Sequence, residues 1–178
     1  MPAIALDASF WSRALATLIG TVAGFVFSIL LFYISERIKR SRDQKKIIAG
    51  LKREAAFNIG LCDAWLKAIQ DIRLKVAAGD AAFFHYFDYN RALRIFVQEA
   101  LRAGILYDLL SDTELVDLDK SLLFLAFYEE QDINGRIAQW KAGTIAPPDL
   151  SQALTFHEHA VTDARKAMET LRSKAATA

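Results

Sequence analysis

The chain opens on an unbroken apolar run and then settles into a helical period. From Ala14 to Ile34 no charged residue occurs in 21 positions. A helix of that length spans about 32 Å, close to the thickness of a bilayer's hydrocarbon core. Phe10 and Trp11 precede the run, and Phe32 and Tyr33 close it, as aromatic residues do at the two membrane interfaces. A cleaved signal peptide has a shorter apolar stretch, a positive start and small residues at its end. Here the far side reads SERIKRSRDQKK. The pattern predicts a retained transmembrane helix over 14–34, preceded by a short segment, 1–13.

Between Ser35 and about Ala78 there is no proline and no obvious stop, so the helix can run on from the membrane segment. Ile48, Leu51, Ala55, Cys62, Trp65, Ile69, Ile72 and Val76 recur at three- and four-residue steps, and Asn58 fills the single gap. This is one stripe of a long helix facing its neighbours. AAGD (77–80) ends it. AAFFHYFDYN (81–90) is the densest aromatic cluster and shows no clean period; it reads as a connecting loop whose rings plug the end of a bundle. Asp88 or Asn90 can cap the next helix, in which Leu93, Phe96, Val97, Ala100 and Leu101 share a face. Gly104 ends that helix, with Ile105 placed for the apolar contact beyond a glycine cap.

Ser111-Asp-Thr-Glu114 is a capping box. The helix it opens carries Leu115, Leu118, Leu122, Leu125, Ile133, Ile137 and Trp140, with Gly143 just beyond. APPD (146–149) starts the last helix, whose stripe is Leu150, Leu154, His157, Val161, Ala164, Met168 and Leu171. The predicted fold is all-α: one N-terminal transmembrane helix followed by a cytoplasmic antiparallel bundle of about four helices, over 47–178.

Charge orients this arrangement. The net charge is +1, but it is unevenly spread. Residues 35–46 hold six bases, Arg37, Lys39, Arg40, Arg42, Lys45 and Lys46, against Glu36 and Asp43. Positive charge is retained on the cytoplasmic side, so residues 35–178 are expected inside the cell and the N-terminus outside. The same collar suits anionic lipid head groups, at about 1 kcal/mol per basic residue near the surface. The bilayer's phosphates lie nearer than any nucleic acid, and no nucleic-acid partner is expected. The single cysteine, Cys62, fits a reducing compartment.

Within the apolar run, Ala16, Gly20, Gly24 and Ser28 fall four residues apart and share one edge. Small residues in that register let a second helix approach closely. The expected partner is a second copy of the chain or another membrane protein.

The search for chemistry returns little. His157 and His159 are two apart and point to different sides of a helix, and His157 falls on the apolar stripe, where a half-buried, hydrogen-bonded histidine is expected. FYEEQDIN (127–134) has carboxylates but lacks the Glu-x-x-His pairs of a bundle di-iron site; Glu129, Glu130 and Asp132 read as a solvated face. Cys62 reads as buried and inert. No phosphate loop, nucleophile elbow, zinc-protease or kinase signature occurs. Neither an enzyme nor a metal or organic cofactor is expected. Asn58 and Asn134 sit on apolar stripes, with Glu54 one turn before Asn58. Buried polar groups of this kind can fix helix register, and the three are expected to form a polar lock between helices.

The anchor with its basic exit, LKREAAFN (51–58), ALRAGILYDLL (100–110) and FYEEQDIN (127–134) resemble a loose set of uncharacterised bacterial single-pass membrane-anchored helical-bundle proteins. The resemblance implies an inner-membrane location and transfers no catalytic residue. The function expected from these features is a non-enzymatic membrane-anchored interaction module, an oligomerising scaffold or an accessory subunit of a membrane complex. The alternatives are a membrane-acting effector with a cytoplasmic sensing bundle and an enzyme with an unfamiliar site.

Overall fold

A computed structural model describes residues 8–124 and 130–178 of the chain. The fold is all-α among the described residues: α1 (Ala8–Ala77), a 3-10 turn (Tyr89–Arg91), α2 (Ile95–Arg102), α3 (Ile105–Leu109), α4 (Asp112–Leu123), α5 (Glu130–Lys141) and α6 (Pro147–Thr177). The apolar run and the first bundle helix are one continuous helix of 70 residues. By contacts the chain divides into two units, residues 1–45 and residues 46–178.

In the first unit the apolar side chains of α1 are exposed. Leu18, Phe25, Phe32 and Tyr33 are all at least 60 % exposed, and so are Ile19 and Phe27, which look in other directions. This helix is long and apolar enough to cross a membrane, and none of its most apolar stretch is buried within the chain.

The second unit buries the rest of α1. Leu51, Ala55, Cys62, Trp65, Ile69, Ile72 and Val76 lie in the core, and every stripe position of α6 from Leu150 to Leu171 is buried with them. The two helices run antiparallel: Arg73 pairs with Glu158 at 2.7 Å and Asp63 with Arg165 at 2.6 Å. Asn58 then meets Met168. Pro147 starts α6 where a missing N–H costs nothing, and Asp149 takes the Ala146 N–H at 3.3 Å. On α4 the capping box is present, Ser111 accepting from Glu114 N–H and Glu114 accepting from Ser111 N–H. Gly79, Gly104 and Gly143 take left-handed backbone angles at the ends of α1, α2 and α5, a conformation side chains disfavour.

Two expectations need correction. Of the helix predicted over 111–142, the stretches Asp112–Leu123 and Glu130–Lys141 are helical; Leu125 and Glu129 lie outside the described residues, as do the side chains of Glu130 and Asp132. ILYDLL carries a short helix, α3. Leu93 precedes α2 rather than sharing its face, and Leu101 is half exposed; Val97 and Ala100 form the buried edge. The segment 83–90 does have a period, which is two. Phe83, His85, Phe87 and Tyr89 turn inward, while Phe84 is 93 % exposed and Tyr86 is also exposed. An extended backbone alternates its side chains in this way.

Candidate functional site

Two sets of residues stand out, one in each unit. In the first, Ala16, Gly20, Gly24 and Ser28 are all exposed on α1. A Cβ built on Gly20 or Gly24 would meet nothing within 4 Å. The hydroxyl of Ser28 donates to the Gly24 carbonyl at 2.8 Å, and Thr21 donates to Thr17 in the same way. The polar atoms of this edge are therefore satisfied within the helix, and what it offers a neighbour is close backbone approach. Arg37, Lys39, Arg40, Arg42, Lys45 and Lys46 follow, all exposed.

In the second unit the buried polar residues hold the long connection from α1 into α2. Glu54 is 3 % exposed. Its carboxylate accepts the Phe96 N–H at 2.9 Å and the Val97 N–H at 3.0 Å. These are two of the first N–H groups of α2, which its own N-cap residue, Arg94, leaves without a side-chain partner. A carboxylate on α1 thus caps α2 from outside. Asp88, expected to cap this helix, caps the 3-10 turn instead, accepting the Asn90 N–H.

Asn58, one turn on, clasps the backbone of a single residue. Its amide donates to the Leu93 carbonyl at 2.8 Å and its oxygen accepts the Leu93 N–H at 2.9 Å. Asn134 on α5 does the same to Phe87, with both bonds at 2.9 Å. Glu54 and Asn58 therefore act together, whereas Asn134 acts elsewhere on the same connection. The three bond mainly to backbone groups of that connection and of the first turn of α2, Asn58 also donating to the Met168 sulfur on α6 at 3.9 Å, and the three residues do not bond to one another.

Phe87 and Tyr89, positioned by these clasps, close over His157. The imidazole lies 4.9 Å from the Phe87 ring, 5.3 Å from Tyr89 and 5.6 Å from Phe124, centroid to centroid. His157 is fully buried rather than half-buried. Its Nδ1 shares a hydrogen bond with the Tyr89 hydroxyl at 3.3 Å, and its Nε2 has no partner among the described residues. Burial pushes its pKa down to about 4, so the ring is neutral at pH 7. Burial likewise pushes the Cys62 thiol up to about 12, and Asp63 adds to the effect. Among the described residues no group of three or more His, Cys, Asp or Glu gathers that could hold a metal ion.

The sequence alone missed two contacts. One is the Tyr89–His157 pair, separated by 68 positions. The other is the seating of Phe96 against Gly50, so close that a Cβ on that glycine would overlap the ring. Gly50 itself was the only trace of the second contact. No family, no curated protein and no solved structure matches the chain.

Proposed function

We propose that the protein is a non-enzymatic interaction module anchored in the cytoplasmic membrane. Residues 14–34 cross the bilayer, with the N-terminus outside and residues 35–178 inside. The observation that carries this reading is the full exposure of large apolar side chains around α1, from Trp11 to Ile34. Contiguous apolar surface of this extent needs an apolar surrounding. The described residues supply none, and a bilayer or partner helices would.

The edge Ala16/Gly20/Gly24/Ser28 makes the intramembrane contact, with a second copy or another membrane protein. The collar from Arg37 to Lys46 lies among anionic head groups. The bundle presents a cytoplasmic surface for recruitment. Its buried polar groups are spent on backbone groups of its own connection, which supports a structural role for them rather than a catalytic one. Native mass spectrometry of the protein in mild detergent, beside Gly20→Ile/Gly24→Ile, tests the reading. An oligomer or heterocomplex that dissociates in the variant is expected. A bare monomer in both samples would overturn the intramembrane contact.

A further inference from the structure

Past Ile34 the bases of the collar lie on different sides of α1. An α-helix turns about 100° per residue, which places Arg40 about 180° from the edge centred on Gly20 and Gly24. Tyr33 and Arg37 lie within about 60° of Arg40 on the same count, whereas Arg42 returns to the small-residue side. Tyr33, Glu36, Arg37, Arg40, Ser41 and Gln44 share this outer face. Neither Arg37 nor Arg40 has an ion-pair partner among the described residues, and both are exposed.

Depth matches the arrangement. Arg37 and Arg40 lie about 4.5 Å and 9 Å along the axis from Ile34. The polar layer on each side of a bilayer is about 5–8 Å deep beyond the hydrocarbon, so Arg37 lies within it and Arg40 just past it, where its long side chain reaches back to the head groups. Two guanidinium forks one turn apart suit a phosphodiester, which each can grip through paired N–H bonds. The Tyr33 ring lies where the hydrocarbon ends. Glu36 offsets one of the two charges, so the face stays positive.

We infer that Tyr33, Arg37 and Arg40 form a docking site for the phosphodiester head group of an anionic phospholipid, on the face of α1 opposite the small-residue edge. The inference rests on α1 spanning a bilayer as proposed above. It separates two jobs on one helix: a partner helix packs on one side, and a lipid is held on the other.

The test is native mass spectrometry of the full chain in nanodiscs of equal phosphatidylglycerol and phosphatidylcholine, counting the lipids retained. The wild type is expected to keep phosphatidylglycerol in preference. Arg37→Gln/Arg40→Gln is expected to lower that preference about 30-fold, the scale of two basic residues at a membrane surface. Lys39→Gln/Arg42→Gln removes the same charge from other sides, about 3 Å farther out along the axis; it loses only the general surface attraction and is expected to lower the preference by clearly less, about tenfold at most. Arg37→Lys/Arg40→Lys keeps the charge but loses the paired bonds, and is expected to fall between. Equal losses in the two glutamine variants, or displacement of the lipid by free inorganic phosphate, would overturn the site. Membrane fractionation of the same samples separates that result from failure of the spanning reading: a wild type found in the soluble fraction would remove the bilayer itself.

Discussion

Replacing Glu54 by alanine tests how the second unit is held together. In the wild type the carboxylate takes two α2 N–H groups at 2.9 and 3.0 Å in a buried setting. Alanine removes both acceptors and puts nothing in their place. Loss of an N-cap costs about 1 kcal/mol. Loss of a negative charge at a partly buried helix N-terminus costs up to about 2 kcal/mol. A buried N–H left without a partner costs about 1–3 kcal/mol. These effects overlap, because they describe the same two bonds, and about 3 kcal/mol is a fair total. For a unit of this size that lowers Tm by roughly 9–15 °C. Glu54→Gln keeps the volume and one acceptor oxygen but turns an amide donor toward a donor, so about 2 kcal/mol is expected. Urea unfolding of the detergent-solubilised protein, followed by circular dichroism, gives the stability. Hydrogen exchange at Phe96 and Val97 gives the locality, and these amides should lose protection before the α6 core does. If Glu54→Ala unfolded at the wild-type midpoint with those amides still protected, the capping role would be wrong.

Other substitutions follow from the same packing. Gly50→Ala drives a methyl group into the Phe96 ring; overpacking outweighs the gain in helix propensity and should cost about 1–2 kcal/mol, recovered when Phe96→Ala is added. Gly60→Ala, where a methyl group meets nothing within 4 Å, should instead stabilise by about 0.5–1 kcal/mol, read as a higher urea midpoint. His157 ordinarily titrates near 6.5 but at about 4 when folded. The unfolded chain therefore binds the proton more readily, and stability present above pH 6.5 is lost as pH falls toward 4, by about 3 kcal/mol. His157→Phe should flatten that part of the stability profile. Cys62 should resist thiol reagents at pH 8 in the folded protein and react at the rate of unfolding, because its thiol stays protonated.

What the sequence made legible follows from period and punctuation. The α6 stripe from Leu150 to Leu171 is buried position by position because a 31-residue helix with one apolar edge has only one way to face a core. The Ser111–Glu114 box and the glycines at 79, 104 and 143 act locally, so they too could be read directly. The connection between α1 and α2 could not. Its inward alternation at Phe83, His85, Phe87 and Tyr89 is masked by outward aromatics, Phe84 and Tyr86, so apolar and polar positions do not alternate in the sequence. Its ordering depends on Asn134, 47 positions away from Phe87. The α2 cap likewise lies 42 positions upstream, on Glu54, where no local rule looks for it. Asn58 and Asn134 stood out as polar residues on apolar stripes, with Glu54 one turn before Asn58, but their closest partners are backbone groups, and backbone groups leave no mark in side-chain pattern.

The most direct test of the account is protease protection in bacterial spheroplasts expressing the full chain, combined with alkaline extraction of the membranes. With α1 spanning the membrane, the protein stays in the membrane pellet, and protease added outside leaves residues 35–178 intact until the cells are lysed. Release into the alkaline supernatant, or digestion of the bundle in intact spheroplasts, would contradict a membrane-spanning α1 with its bundle inside the cell.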